Sequence, residues 1–410
     1  MPLLLLLLIL SPPVSQPPPF NHSFHFILLK MNKEMGHRSP LLLLPSAVFS
    51  VLMAAAAAGT GISAAAGPSR CGSGGNAAVL FVFGDSNSDT GGLEAAMGLN
   101  AGLPSGRAFF HRPTGRFSDG RLILDFLCDS LNTSYLTPYL DSLGSGFRNG
   151  ANFAVGGSAT LPRYKLFSLH VQVLQFLHFK SRSLQPVARG SLGLISEEGF
   201  QKALYLIDIG QNDLSDSFAL GLSYDQVIGK IPYFVSEIKD AIKTLYDNGG
   251  RNFWVHGTGP LGCLPQRLTL RRAAKGDLDT NGCVVSYNSA AKEFNLRLSD
   301  LCAQMGSELK DATVVYTDVY SIKYDLIANH TRYGFKSPLL SCCGYGGPPY
   351  NYNINITCGN PGSQACQNGL QYISWDGVHY TDAANSIAAA KLLSSDYSRP
   401  KLKFDYFCHH

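Results

Sequence analysis

Phe83-Gly84-Asp85-Ser86-Asn87-Ser88-Asp89-Thr90-Gly91 follows directly on the apolar run Ala77 to Phe81. An apolar run stopped by a tight polar turn reads as a buried strand, here Ala78 to Phe83. Similar short runs recur at Asn152 to Val155, Ala203 to Ile209, Phe253 to His256 and Thr313 to Thr317. Their near-continuous apolarity predicts parallel strands covered on both faces. Between them, Val227, Ile228, Ile231, Val235, Ile238, Ile242 and Leu245 recur at helical spacing. This pattern predicts a helix over Tyr224 to Asp247, ended by Gly249-Gly250. Val284 to Met305 and Ala383 to Leu393 also read as helices. Such alternation predicts an α/β sandwich with a mostly parallel sheet, whose sites form at the C-terminal strand ends.

Four segments bring chemistry to those ends. In the first, the turn exposes the Ser86 hydroxyl, which needs a neighbouring base to act as a nucleophile. The same Ser/Asp/Thr cluster could instead cap the next helix. The second, Asn149-Gly150-Ala151-Asn152-Phe153-Ala154-Val155-Gly156-Gly157-Ser158, has paired glycines that can aim a backbone N–H at a ligand, or form a plain turn. The third, Ile209-Gly210-Gln211-Asn212-Asp213, offers a side-chain amide to a developing oxyanion, or an Asn/Asp turn. The fourth, Asp376-Gly377-Val378-His379 after Trp375, places a carboxylate three residues before an imidazole it can orient. An Asp-Gly turn leading into a helix would leave His379 incidental.

Taken in this order, the four segments resemble the blocks of the SGNH hydrolases, known also as GDSL esterases/lipases, and most closely the plant secreted branch. Gly115-Arg116-Phe117-Ser118-Asp119-Gly120-Arg121 and Gly259-Pro260-Leu261-Gly262-Cys263-Leu264-Pro265 add to the likeness, which runs from about Ala78 to Pro400. The resemblance implies a three-layer α/β/α sandwich with a flavodoxin-like sheet. It makes Ser86 the nucleophile, His379 the general base and Asp376 its orienting partner. The Ser86 N–H, the Gly157 N–H and the Asn212 amide become the oxyanion hole, with a one-residue shift to Gly156 left open. Asn87 stands where leucine would complete Gly-Asp-Ser-Leu, a position that does no chemistry itself. The reaction implied is acyl transfer to water, with no metal or organic cofactor.

The substrate expected is an ester, with O-acetyl groups on cell-wall polysaccharide such as xylan preferred to the alternative, a lipid or fatty-acyl ester. A catalytically inactive glycan-binding protein is the alternative of another class. The tyrosines Tyr345, Tyr350 and Tyr352 could line a sugar-binding rim or simply decorate a disulfide-pinned loop. His256 reads as a satisfied interior histidine, Asp208 as a local hydrogen-bonding partner, and His409-His410 as too short a tail for a metal claim.

The N-terminal part reads as targeting rather than fold. Lys33, His37 and Arg38 form a basic region, Leu41 to Ala58 an apolar one broken by Pro45, and Ala64-Ala65-Ala66 a cleavage pattern. A secretory signal from Met31 to Ala66 is expected, with residues 1–30 an over-long start or an unusual pre-segment. The remainder, 67–410, is expected to be one domain. An uncleaved Leu41 to Ala58 would instead anchor a Golgi membrane enzyme.

The balance of 33 basic and 29 acidic residues is mild, and no dense basic stripe invites nucleic acid. Arg267 to Lys275 reads as a solvated loop or helix face. All ten cysteines follow Ala66, an even number suited to disulfides in an oxidising compartment. Neither a Cys-x-x-Cys pair nor matching histidine spacing supports zinc. Adjacent Cys342 and Cys343 are expected to bridge elsewhere. Asn132-Thr133-Ser134, Asn329-His330-Thr331 and Asn355-Ile356-Thr357 are candidate glycan acceptors.

Overall fold

The computed structural model describes residues 78–99, 102–161, 166–188, 193–270 and 276–408. The targeting segment, Cys71, Arg271, Arg272 and the His409-His410 tail lie outside them. The strands are β1 (Leu80–Gly84), β2 (Gly150–Asn152), β3 (Leu204–Asp208), β4 (Asn252–His256), β5 (Thr313–Thr317), β6 (Cys343–Gly344), β7 (Gln364–Ala365) and β8 (Ser398–Arg399). Six of them form one sheet in the order β2-β1-β3-β4-β5-β8. The first five run parallel, and β8 closes the edge antiparallel to β5. Predicted Asn152 to Val155 is regular strand only as far as Asn152. Its hydrogen bonds to β1 nevertheless continue, from Phe153 N to Val82 O and from Val155 N to Gly84 O.

The helices are α1 (Gly92–Met97), α2 (Ile123–Ser130), α3 (Leu169–Val187), α4 (Glu197–Lys202), α5 (Gln211–Ala219), α6 (Tyr224–Asp247), α7 (Pro265–Leu270), α8 (Val285–Glu308), α9 (Val319–Ala328) and α10 (Asp382–Leu393). Successive strand residues point to opposite faces, and the core divides accordingly. Phe81, Phe83, Tyr205, Ile207, Phe253 and Val255 pack with α3, α5, α6 and α8. Leu80, Val82, Leu204, Leu206, Trp254 and Val315 pack with α2, α9 and α10. The result is the expected three-layer sandwich. Each central strand reads as continuously apolar because both of its faces are covered.

The chain moves from β1 outward to β2, then returns to place β3 on the other side of β1. This reversal opens a crevice beyond the C-terminal end of β1, where open α/β sheets bind ligands. Ser86 lies two residues past that strand end.

Three disulfides are defined: Cys263–Cys283, Cys342–Cys366 and Cys343–Cys358. The adjacent pair thus bridges elsewhere, as expected, and Cys408 is also bonded. Cys128 and Cys302 are free and buried.

Candidate active site

Ser86 sits in a turn closed by the hydrogen bond from Ser88 N to Asp85 O, 3.1 Å. The Asp85 side chain shapes it further by accepting from Asn87 N at 2.9 Å. The turn is anchored beneath by Gln172 of α3. Its amide accepts from Gly84 N and donates to Gly84 O, both at 2.8 Å. The capping role left open for this cluster falls to Asp89, whose carboxylate accepts from Gly91 N, Gly92 N and Leu93 N at the start of α1. Ser86 is left to other contacts.

Its hydroxyl meets an imidazole from the far end of the chain. Ser86 Oγ and His379 Nε2 lie 2.7 Å apart, and His379 Nδ1 and Asp376 Oδ2 2.6 Å. In the neutral tautomer that completes both bonds, Nδ1–H donates to Asp376 and Nε2 accepts from Ser86. Asp376 Oδ1 also accepts from Val378 N and His379 N, at 2.9 and 2.8 Å. Burial alone would raise its carboxyl, but His379 and these bonds outweigh it and hold the group below its ordinary value. Gly377 makes this tight loop possible: its φ is +99°, and a Cβ there would meet the Tyr352 ring at 2.4 Å. Phe117 covers the other side of the imidazole, its ring centroid 4.8 Å away.

The two backbone candidates after β2 are now distinguishable. Gly156 N donates to Asp89 Oδ2 at 2.6 Å, so that N–H is committed. Among the described residues, the Gly157 N–H and the Ser86 N–H take no hydrogen-bond partner. Asn212, half-buried in the first turn of α5, donates one amide hydrogen to Ser158 O at 2.9 Å. That bond fixes the amide and leaves its second hydrogen to donate. The next residue, Asp213, accepts from Thr160 N and Oγ1 at 2.9 and 2.8 Å, clamping α5 to the Gly157 loop. Burial pushes the Asp213 carboxyl up to about 6.

Several neighbours differ from expectation. His256 is interior but not satisfied: its Nε2 has no partner, and burial pushes it down to about 4. Arg267 is buried rather than solvated, and donates to Ser215 O and Gln266 Oε1. The three tyrosines do not form one rim. Tyr352 is buried behind Gly377 and accepts from Gln266, whereas Tyr345 is exposed in a separate cleft. Asp208 accepts from Ser88 Oγ at 2.7 Å, the local bond foreseen for it. Gln172 and Phe117 were missed because a lone Gln on a helix or a Phe carries no chemical signature in sequence, and the bond of the capping Asp89 to Gly156 N was missed because it spans 67 residues. Among the described residues no group of three or more His, Cys, Asp or Glu gathers to hold a metal.

Comparison with known proteins places this geometry in a family. The model of the GDSL-like lipase/acylhydrolase family matches residues 80–392. A GDSL esterase/lipase of Arabidopsis thaliana is 61% identical over 334 residues, covering 80% of this chain and 90% of the relative. The Arabidopsis thaliana GDSL esterase/lipase LIP-4 is 59% identical over 346 residues, covering 83% and 92%. A phospholipase A1 structure from Streptomyces albidoflavus NA297 aligns with 78% of this chain and 99% of its own, at 11% identity and a TM-score of 0.35. On the family match and the extent of these identities, the chain belongs to the GDSL-like lipase/acylhydrolase family and is an ester-bond hydrolase.

Proposed function

We propose that this is a secreted serine carboxylic-ester hydrolase that removes O-acetyl groups from cell-wall polysaccharide such as xylan. The observation that carries the catalytic part is the unbroken hydrogen-bond chain from Ser86 Oγ through His379 to Asp376. Ser86 Oγ attacks the ester carbonyl as its proton passes to His379 Nε2. Asp376 stabilises the imidazolium that forms. The Ser86 N–H, the Gly157 N–H and the Asn212 amide receive the negative charge of the tetrahedral intermediate, each donor being worth roughly 3 kcal/mol of barrier. His379 returns the proton to the leaving alcohol, and an acyl-Ser86 ester remains. Water, deprotonated by His379, then releases the carboxylic acid and regenerates Ser86.

Secretion is supported by the three disulfides, which persist in oxidising compartments, and by the targeting pattern before residue 67. No helix among the described residues is long and apolar enough to cross a membrane. A single domain over 67–410 is supported by the six-stranded sheet, whose strands are drawn from Leu80 to Arg399. The polysaccharide preference draws on the open cleft of about 510 Å³ lined by Tyr345, Tyr372 and Gln364, which offers an aromatic face beside amide groups.

A lipid or fatty-acyl substrate is the second reading, favoured by Leu166 and Leu220, 74% and 69% exposed in the segments that follow Gly157 and Asn212. Turnover on acetyl, butyryl and longer p-nitrophenyl esters and on acetylated xylan, with Ser86→Ala as control, separates the two. Acetate release from xylan is the expected result; activity that rises with acyl length and is absent on xylan overturns it. Failure of an organophosphonate to label Ser86 would replace catalysis with glycan binding. An N-terminus still carrying Leu41 to Ala58 would replace secretion with a Golgi anchor.

A further inference from the structure

Behind the nucleophile turn lies a set of buried ionisable side chains that acyl transfer at Ser86 does not use. Lys323, on α9, is 5% exposed, and its ammonium donates to Asn87 Oδ1 over 3.2 Å. It also stands over the Tyr380 ring, 4.4 Å from the centroid. Lys323, Asp85, Asn87, Asp208, Gln211 and Thr258 line one small internal space at the ends of β1, β3 and β4. Asn87 in turn donates to Asp85 Oδ1 at 2.9 Å and to Gln211 Oε1 at 3.4 Å. One asparagine therefore links the lysine to the aspartate that shapes the turn and to the helix that carries Asn212.

The surroundings are built for a lysine. Its stem passes Gly259, where a Cβ would lie 3.0 Å from Lys323 Cδ. Gly259 opens the Gly259 to Pro265 segment that catalysis itself leaves unexplained. Burial pushes the ammonium down, while Asp208 and Asp85 draw it up. His256, facing the cluster from β4, is held neutral by its own burial, so the lysine is the cation set against those two carboxylates. A leucine side chain in place of Asn87 could not accept from the ammonium, and of the two bonds to Asp85 only the backbone one would remain. A buried ammonium without its acceptor is costly.

We propose that Lys323 is a positioning residue for Ser86: through Asn87 it fixes the nucleophile turn, and its charge offsets Asp85 and Asp208 behind the developing oxyanion. The departure from Gly-Asp-Ser-Leu is then one half of a pair whose other half is Lys323. Burial and the neighbouring Asp208 push the Asp85 carboxyl up to about 7, so the two acids already repel one another, and negative charge left uncompensated there would oppose the charge that the oxyanion hole stabilises. A shift of the turn would lengthen the path of attack. This inference rests on Ser86 being the nucleophile.

The test compares Lys323→Met, Lys323→Arg, Asn87→Leu and the double variant Asn87→Leu/Lys323→Met in the full chain, by kcat and KM on p-nitrophenyl acetate. Lys323→Met is expected to lower kcat roughly a hundredfold, the cost of a misplaced reacting group, with KM unchanged. Lys323→Arg keeps charge and donor and should retain more activity than methionine. A role in packing alone reverses that order, because methionine matches the stem and arginine overfills it. Asn87→Leu, which breaks the link but keeps the ammonium, should also lower kcat though less than Lys323→Met, and the double variant should fall no further than Lys323→Met. Wild-type kcat in Lys323→Met, methionine tolerated better than arginine, or losses that multiply would each overturn the proposal. If Lys323→Met does not fold, Asn87→Leu decides: wild-type kcat there overturns it equally. Ser86→Ala run alongside keeps the two readings apart, since undiminished turnover in that variant removes the nucleophile rather than the lysine.

Discussion

At the scale of single residues, the site depends on which groups are already committed. Gly156 gives its N–H to Asp89, so of the two glycines Gly157 is the one whose N–H remains for the proposed oxyanion contact. The first hydrogen of the Asn212 amide is held by Ser158 O, so only the second is available. Ser86→Ala should abolish ester turnover while the far-UV circular dichroism stays unchanged; undiminished cleavage would remove Ser86 from its role. Asn212→Ala should lower kcat by about a hundredfold or more with KM little changed, and a loss confined to KM would count against oxyanion contact. Asp376→Asn should lower kcat by up to about four orders of magnitude, because an amide in its place stabilises the wrong imidazole tautomer. Ser86, His379, Asp376 and Asn212 were legible in sequence because each carries a chemical signature beside a strand end or turn. Asp89, Gln172 and Lys323 were not, since their work is defined by partners 67, 88 and 236 residues away.

Among elements, two irregular segments hold the His379 side of the site. Within Gly115 to Arg121, Arg116 forms a buried bidentate pair with Asp125 of α2, at 2.8 and 2.7 Å. Phe117 covers His379, and Arg121 reaches Asp382 at the start of α10. Arg116→Met leaves Asp125 buried without its cation and should cost about 3–5 kcal/mol of stability, read as a lower urea midpoint. The second segment is the loop held by Cys342–Cys366 and Cys343–Cys358. Cys342 N and Cys343 N donate to Ser374 O and Trp375 O, immediately before Asp376. Gly377→Ala forces a Cβ toward Tyr352 at a positive φ, and should cost about 1–3 kcal/mol together with kcat; an unchanged thermal midpoint would contradict that account. In sequence the first segment only added to the family likeness and the second read as a disulfide-pinned loop, and neither reading showed to what the segments attach.

For the whole molecule, a histidine buried in the sheet gives stability a pH dependence. His256 is pushed down from 6.5 to about 4 by burial, so folding favours its neutral form. Its contribution is fully present above 6.5 and is lost as pH falls toward 4, because the unfolded chain takes up the proton first. His256→Gln should flatten the fall in urea midpoint across that window; an identical pH profile would show that another group is responsible. The sequence by itself determined the layers and the order of the strands' appearance, since apolar runs and helical spacing are local properties of the chain. It also named the candidate reactive groups, whose chemistry travels with residue type. Only the tertiary structure decided that 293 residues of separation close to a 2.7 Å contact between Ser86 and His379. It alone assigned the helix cap to Asp89, left the Gly157 N–H uncommitted, and set Lys323 behind Asn87. Hydrogen-bond commitment and burial are pairwise quantities, and the pairs exist only once the sheet has brought distant strand ends together.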